Sequence, residues 1–174
     1  MKIILATMLF LSAFASSTHP GTRLVRNQKI FNLVGQNRNL DLYAIGAHLT
    51  GRLGYIRMRI TFQRGTLLRM ENPILIFNNI LETKDDRYNV TLGWPTLGMP
   101  MAVNTIRTFR VSQKEHIAVD YTGTKKGLFE EVFKFINTYP TDAEKKLTGE
   151  VRFIINHFKT DLRNITTKVQ YIVE

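Results

Sequence analysis

Five arginines and one tyrosine are the residues of this sequence best suited to bind an anion. They lie between positions 52 and 69 and are Arg52, Tyr55, Arg57, Arg59, Arg64 and Arg69. A guanidinium group forms paired hydrogen bonds with phosphate, sulfate or carboxylate, and a tyrosine ring beside it can add stacking. These residues therefore predict a polyanion-binding site.

The stretch GYIRMRITFQRG at 54–65 alternates between apolar and polar residues. One side carries Ile56, Met58, Ile60 and Phe62, and the other carries Tyr55, Arg57, Arg59, Thr61 and Gln63. Such alternation is typical of a half-buried strand, so we expect an arginine-rich sheet face in contact with solvent. Charged side chains also protect edge strands from unwanted pairing, and this purely structural explanation of the two arginines stays open.

Basic residues are concentrated in the first part of the chain. The formal net charge is +10, and between positions 23 and 69 nine basic residues stand against a single acid, Asp41. A surface of this sign attracts polyanions. The expected partners are therefore a glycosaminoglycan, an anionic lipid headgroup, nucleic acid or an acidic protein.

Residues that commonly carry out acid–base or nucleophilic chemistry are not arranged for it in this sequence. The chain has four histidines and no cysteine, and no histidine has the spacing of a metal site. His116 lies between Glu115 and Asp120, but no serine has the sequence context of a nucleophile. We therefore expect no enzymatic activity, no catalytic residue, no metal and no cofactor. A hydrolase with His116 as general base is a weaker alternative.

The first residues have the composition of a secretory signal peptide. Lys2 precedes an apolar run, and the small residues Ala13 and Ala15 mark a cleavage site. We expect a signal peptide at 1–15, a flexible N-terminal tail at 16–22 and a single globular domain at 23–174. This organisation predicts a secreted, extracellular protein. The chain is also basic and contains no cysteine.

Two further features concern the secretory route. Asn89 and Asn164 each begin an Asn-X-Thr sequon, which predicts a glycoprotein with these two sites. No segment after the signal peptide offers about 18 uninterrupted apolar residues, so no transmembrane segment is expected.

Hydrophobic periodicity predicts a series of strands followed by helices. Period-two alternation, or a short apolar run between turn residues, predicts strands. The candidate strands are 29–34, 40–49, 55–63, 73–77, 88–94, 102–111 and 116–121. Helical spacing predicts helices at 128–136 and 147–162. Residues 165–173 either continue the second helix or form a strand, and their β-branched residues favour the strand.

These elements predict an α+β fold: an antiparallel β-sandwich or barrel of about six to seven strands, followed by two C-terminal helices and a final strand. The order of strands, helix and terminal strand resembles the calycin or lipocalin pattern. Lipocalins carry a Gly-x-Trp near the mature N-terminus and usually a disulfide, whereas the one tryptophan here is Trp94 and cysteine is absent.

The function predicted from the sequence is that of a non-enzymatic extracellular interaction protein. It would bind a polyanion or an acidic partner through the arginine-rich sheet face. The alternative, implied by the resemblance, is a lipocalin-like carrier of a small apolar ligand.

Overall fold

The computed structural model describes residues 23–25, 30–41, 45–63, 66–68, 72–82, 87–98, 102–156 and 165–174. The signal peptide expected at 1–15 and the tail expected at 16–22 lie outside the described residues, as do Arg64, Arg69 and Asn164.

Within these ranges the chain forms ten strands and two helices. The strands are β1 (Arg23–Val25), β2 (Ile30–Asp41), β3 (Thr66–Leu68), β4 (Ile74–Phe77), β5 (Arg87–Gly98), β6 (Ala102–Val103), β7 (Ile106–Ser112), β8 (His116–Gly123), β9 (Leu147–Asn156) and β10 (Ile165–Val173). The helices are α1 (Ile45–Phe62) and α2 (Lys125–Thr138).

The strands form one sheet with the order β1-β8-β10-β9-β4-β5-β2-β7-β6, and β3 pairs with β5. The same arrangement of elements occurs twice in this sheet. Apart from the short β3, the first half runs β2, α1, β4, β5, and β5 pairs with both β2 and β4. The second half runs β8, α2, β9, β10, and β10 pairs with both β8 and β9. The halves join where β4 pairs with β9.

The sheet must curl strongly, because a short segment connects strands that are far apart in it. β7 and β8 are separated by six strand spacings, which would be about 29 Å in a flat sheet. Residues 113–115 connect them, and a chain of that length reaches only about 14 Å. Gly35 and Gly93 stand opposite each other in the register of β2 and β5. A Cβ on Gly35 would come within 2.1 Å of the Leu92 carbonyl oxygen, so a larger residue does not fit there.

Both helices pack on one face of the sheet, which we call the helix face. Leu53, Ile56 and Ile60 of α1 and Leu128 and Val132 of α2 join a single apolar cluster with sheet residues of both halves. The opposite face, which we call the second face, has a smaller cluster of its own. Its buried members are Leu33, Ile74, Ile76 and Val111. The helix face therefore holds the main core, and the curled sheet encloses a second one.

The predicted sandwich or barrel followed by two C-terminal helices is wrong in two places. Residues 45–62 form α1 between strands, where strands were expected at 40–49 and 55–63. Residues 147–156 form β9, where a helix was expected at 147–162. The result is an open antiparallel sheet, in which β1 and β6 occupy opposite ends and do not pair with each other.

Candidate functional site

Helix α1 carries the arginines that the sequence placed on a strand. Its inward residues Leu53, Ile56 and Ile60 follow helical spacing and are almost completely buried. Met58, which a strand would bury beside Ile56 and Ile60, is 47% exposed. The arginine-rich sheet face therefore does not exist, and Arg57 and Arg59 project from a helix instead.

One side of α1 is exposed and combines apolar and cationic groups. Tyr55, Met58, Arg59 and Phe62 recur at helical spacing, and Phe62 is 80% exposed. The Arg59 Nε donates a hydrogen bond of 3.0 Å to the Tyr55 hydroxyl. The same guanidinium carbon lies 5.3 Å from the centre of the Tyr55 ring. Arg59 is thus held in place by its neighbour one helical turn away, and it remains exposed to solvent.

Arg57 is exposed but lies over the core. Its guanidinium carbon is 5.2 Å from the centre of the Trp94 ring, a cation–π arrangement. Trp94 is fully buried, and its indole Nε1 donates a hydrogen bond of 2.9 Å to the Leu53 carbonyl oxygen. Trp94 therefore fixes α1 on β5, and it is a core residue of the sheet.

Arg52 points toward the sheet. Its Nη1 donates a hydrogen bond of 3.4 Å to the Gln36 Oε1, and Gln36 in turn donates one of 2.6 Å to the Thr105 hydroxyl. Of the six residues predicted to bind a polyanion, the structure brings together Tyr55 and Arg59, with Arg57 on the same helix. Helical spacing puts Arg52 on the same side as Tyr55 and Arg59, but its guanidinium is directed to Gln36; the last two, Arg64 and Arg69, lie outside the described residues.

His116, the candidate general base, is buried on the second face and has a partner at each ring nitrogen. Its Nδ1 lies 2.8 Å from the Lys114 carbonyl oxygen, and its Nε2 lies 3.0 Å from the Gln170 Nε2. A neutral imidazole that donates to the carbonyl and accepts from the amide satisfies both contacts. Across the ranges that the structure describes, no group of three or more His, Cys, Asp or Glu residues is placed to hold a metal ion.

The second face carries a charged cluster that the sequence does not predict. Arg152 is only 3% exposed, and its Nη2 lies 2.5 Å from the Glu150 Oε1. Lys114 Nζ lies 2.6 Å from the other carboxylate oxygen. Burial alone would raise the pKa of Glu150, but the Lys114 hydrogen bond and the Arg152 guanidinium together hold that pKa below its ordinary value.

A polar cleft of about 610 Å³ lies beside the end of β2 and the start of β5. We call it the amide cleft, because five of its lining residues are asparagines. The lining consists of Asn37, Arg38, Asn39, Asn78, Asn79, Glu82, Arg87 and Asn89. The sequon residue Asn89 is thus an exposed part of this cleft, while Thr91 of the same sequon is buried.

No protein-family model and no curated protein matches the chain. Solved structures do share its fold. The EcmrR chain in a cryo-EM structure of its DNA complex has a TM-score of 0.69 at 14% identity; the match covers 88% of this chain and 57% of that one. The crystal structure of the EcmrR C-terminal domain has a TM-score of 0.66 at 13% identity. The match covers 90% of this chain and 99% of that one.

A third structure with this fold is a putative bacterial transcription regulation protein from Staphylococcus aureus MU50. It has a TM-score of 0.53 at 11% identity, and the match covers 88% of this chain and 99% of that one. The part of EcmrR that this chain resembles is therefore its C-terminal domain. At these identities the likeness establishes a common fold.

The comparison overturns the function predicted from the sequence. The three structures described above come from transcription regulators, one of them in a complex with DNA, and this finding overturns the prediction of a secreted extracellular interaction protein. The glycoprotein prediction for Asn89 and Asn164 depended on the same route and is wrong with it. The lipocalin-like carrier is wrong because the sheet is open and has a helix between its strands. Neither helix in the described part of the chain is long and apolar enough to span a membrane.

Proposed function

We propose that this chain is a non-enzymatic domain of a transcription regulator and that it contacts nucleic acid through the exposed side of α1. The observation that carries the proposal is the charge of this helix. α1 contains Arg52, Arg57 and Arg59 and no acidic residue, and Arg57 and Arg59 are exposed.

The geometry of α1 suits a phosphate backbone. Guanidinium groups bind phosphate oxygens in a bidentate way, and neutralising phosphates releases counterions, which drives association. The hydrogen bond from Arg59 to the Tyr55 hydroxyl orders the arginine before a ligand arrives. Less side-chain freedom is then lost on binding, which supports Arg59 as a contact residue.

The fold comparison also supports a contact with nucleic acid, since EcmrR, which contains a domain of this fold, is found in a DNA complex. The matched part covers 57% of the EcmrR chain, so the match does not assign the DNA contact of EcmrR to the shared domain. The proposal for α1 therefore depends on the helix itself.

The non-enzymatic part of the proposal is supported by the state of the candidate catalytic groups. Both ring nitrogens of His116 are engaged by protein atoms, and the ring is buried. Glu150 is paired with Lys114 and Arg152. A general base needs a free nitrogen or oxygen within reach of a substrate proton, and these groups are already occupied.

The test is binding of the purified full chain to duplex DNA, measured by fluorescence anisotropy over a series of salt concentrations. The double variant Arg57→Glu/Arg59→Glu should weaken binding. Arg57 and Arg59 project from opposite flanks of α1, so each would meet a separate phosphate, and loss of both contacts should flatten the slope of log affinity against log salt concentration by about 1.8. Thermal unfolding of the variant checks that α1 stays folded after Arg57 leaves the Trp94 ring.

The matched control is Lys126→Glu/Lys134→Glu on α2. Both lysines are exposed, and the change in net charge is the same. A recognition surface on α1 predicts that this control keeps the parent's salt slope. If the two double variants bind DNA equally well, or if the parent chain does not bind DNA, the interface is not on α1.

A further inference from the structure

The amide cleft is built from three segments of the first half of the chain. Residues 37–39 lie in the last part of β2, residues 78–82 follow β4, and residues 87–89 begin β5. None of the lining residues belongs to α1, so the cleft is independent of the proposed nucleic-acid interface. Its volume of about 610 Å³ lies in the range of pockets that hold small molecules.

The wall formed by residues 78–82 is held by hydrogen bonds. The Asn78 backbone N–H donates a hydrogen bond of 3.1 Å to the Asn89 carbonyl oxygen, and the Ile80 backbone N–H donates one of 2.8 Å to the Gly149 carbonyl oxygen. The Asn79 Oδ1 accepts a hydrogen bond of 3.1 Å from the Leu81 backbone N–H. The segment is thus fixed to both neighbouring strands, and the cleft is preformed.

The chemistry of the lining indicates the class of ligand. Each asparagine amide offers donors and an acceptor, which suits vicinal hydroxyl groups, and Glu82 adds a carboxylate acceptor. The described lining contains no aromatic ring, so stacking of a flat base or an apolar ring is not favoured there. A hydroxyl-rich molecule fits this surface better than an apolar one.

Arg38 indicates that the ligand also carries an anionic group. Its Nε is buried and has no hydrogen-bond partner among the residues that the structure describes. Arg38 as a whole is only half-buried and lines the cleft, so the rest of its guanidinium group is available to a ligand, and a charged oxygen is the strongest acceptor for it. Arg87 lines the same cleft, with Asp41 opposite it in the β2–β5 register.

We infer that the amide cleft binds a small hydroxyl-rich molecule bearing one carboxylate or phosphate, with that group at Arg38 and the hydroxyl groups on the asparagine amides. The inference does not depend on DNA binding, because the two sites share no residue.

Isothermal titration calorimetry of the full chain tests this inference with three probes: glucose phosphate, glucuronate and glucose. We expect one of the two anionic probes to bind, and to bind more tightly than glucose. Which of them binds decides between phosphate and carboxylate. Arg38→Gln and Asn39→Ala should each weaken that binding, the arginine variant by about tenfold or more, as loss of a charge-assisted hydrogen bond predicts.

The control is Lys126→Gln, which removes one positive charge on α2 and should bind the probe like the parent. Should Arg38→Gln fail to fold, as judged by its circular dichroism spectrum, Arg87→Gln tests the same point from an exposed position. The inference is overturned if neither anionic probe binds or if neither binds more tightly than glucose. It is also overturned if the cleft variants bind the probe like the control.

Discussion

Glu150 shows how one carboxylate makes a buried guanidinium tolerable on the second face. Arg152 is 3% exposed, and its guanidinium is paired with Glu150, which also pairs with the half-exposed Lys114. A buried charge without its partner is strongly destabilising. Glu150→Gln should therefore lower the free energy of unfolding at neutral pH by about 3 kcal/mol, the lower end of the usual range, because the lysine side is open to water.

The same pair gives a pH dependence with a defined sign. The pKa of Glu150 is lowered in the folded protein, so its charged form is favoured by folding. This contribution to stability is complete above the ordinary glutamate pKa of about 4.3 and is lost as the pH falls toward the lowered value.

Thermal unfolding from neutral to acidic pH measures this effect. The parent should lose stability over that acidic window, and Glu150→Gln should lose less there. Glu130→Gln, on the exposed surface of α2, is the control and should follow the parent. Parallel pH curves for the parent and the Glu150 variant would contradict the assignment.

At the scale of elements, α1 makes the sharpest distinction between the sequence pattern and the structure. Ile56 is fully buried and Met58 is 47% exposed, although a strand would place them on one side. Ile56→Ala should cost about 2–5 kcal/mol of unfolding free energy, and Met58→Ala should change it by less than about 0.5 kcal/mol. Denaturant unfolding of the two variants measures both values. Equal losses at the two positions would contradict the helix and favour a strand over these residues.

The period of α1 could not be decided from the sequence, because two patterns coincide there. Ile56 and Ile60 lie four positions apart, a spacing that satisfies both the helical repeat and the alternation of a strand. Leu53, Met58 and Phe62 separate the two, because the helix buries Leu53 and exposes Met58 and Phe62, whereas a strand would bury Met58 and Phe62 beside Ile56. An apolar residue at 58 or 62 fits the strand pattern, so the sequence favoured the strand.

Strand β9 has the apolar spacing of a helix for a different reason. Val151, Arg152 and Phe153 are buried in succession, since the helix face and the second face are both covered at this point of the sheet. A strand buried on both faces loses its alternation and imitates helical spacing. Two other elements are predicted correctly in type. The sequence predicts a helix at 128–136, where α2 is found, and favours a strand at 165–173, where β10 is found.

Of the two candidate sites, one could be predicted in part from the sequence and the other could not. The arginines of α1 could be identified because they are close in sequence, but the element that carries them was wrong. The amide cleft could not be identified, because its residues come from three segments brought together by strand pairing. Asn78 and Asn79 lie between strands and have the composition of a turn, while the other three asparagines lie within β2 and β5. No spacing rule relates position 38 to position 79.

At the scale of the whole molecule, the two halves share one sheet and one core, so they should unfold together. Phe77 of the first half is fully buried and contacts Phe153 of β9 and Phe129 of α2, with ring centres 5.1 Å and 6.0 Å apart. Phe77→Ala should cost about 3–5 kcal/mol, as expected for loss of a large buried ring. The effect should reach both halves, because β4 pairs with β9 at the point where they join.

Two signals follow unfolding of the Phe77 variant independently. Trp94, the single tryptophan, reports on the first half through its fluorescence, and the far-ultraviolet circular dichroism reports on both halves. Coincident transitions, shifted equally from those of the parent, are expected for one cooperative unit. Leu97→Ala is the control; Leu97 lies on β5 but is 53% exposed, so its loss should leave both transitions nearly in place. If the tryptophan signal of the Phe77 variant changes at lower denaturant than the dichroism, the second half survives alone, and the β4–β9 pairing is a contact between two separately stable units.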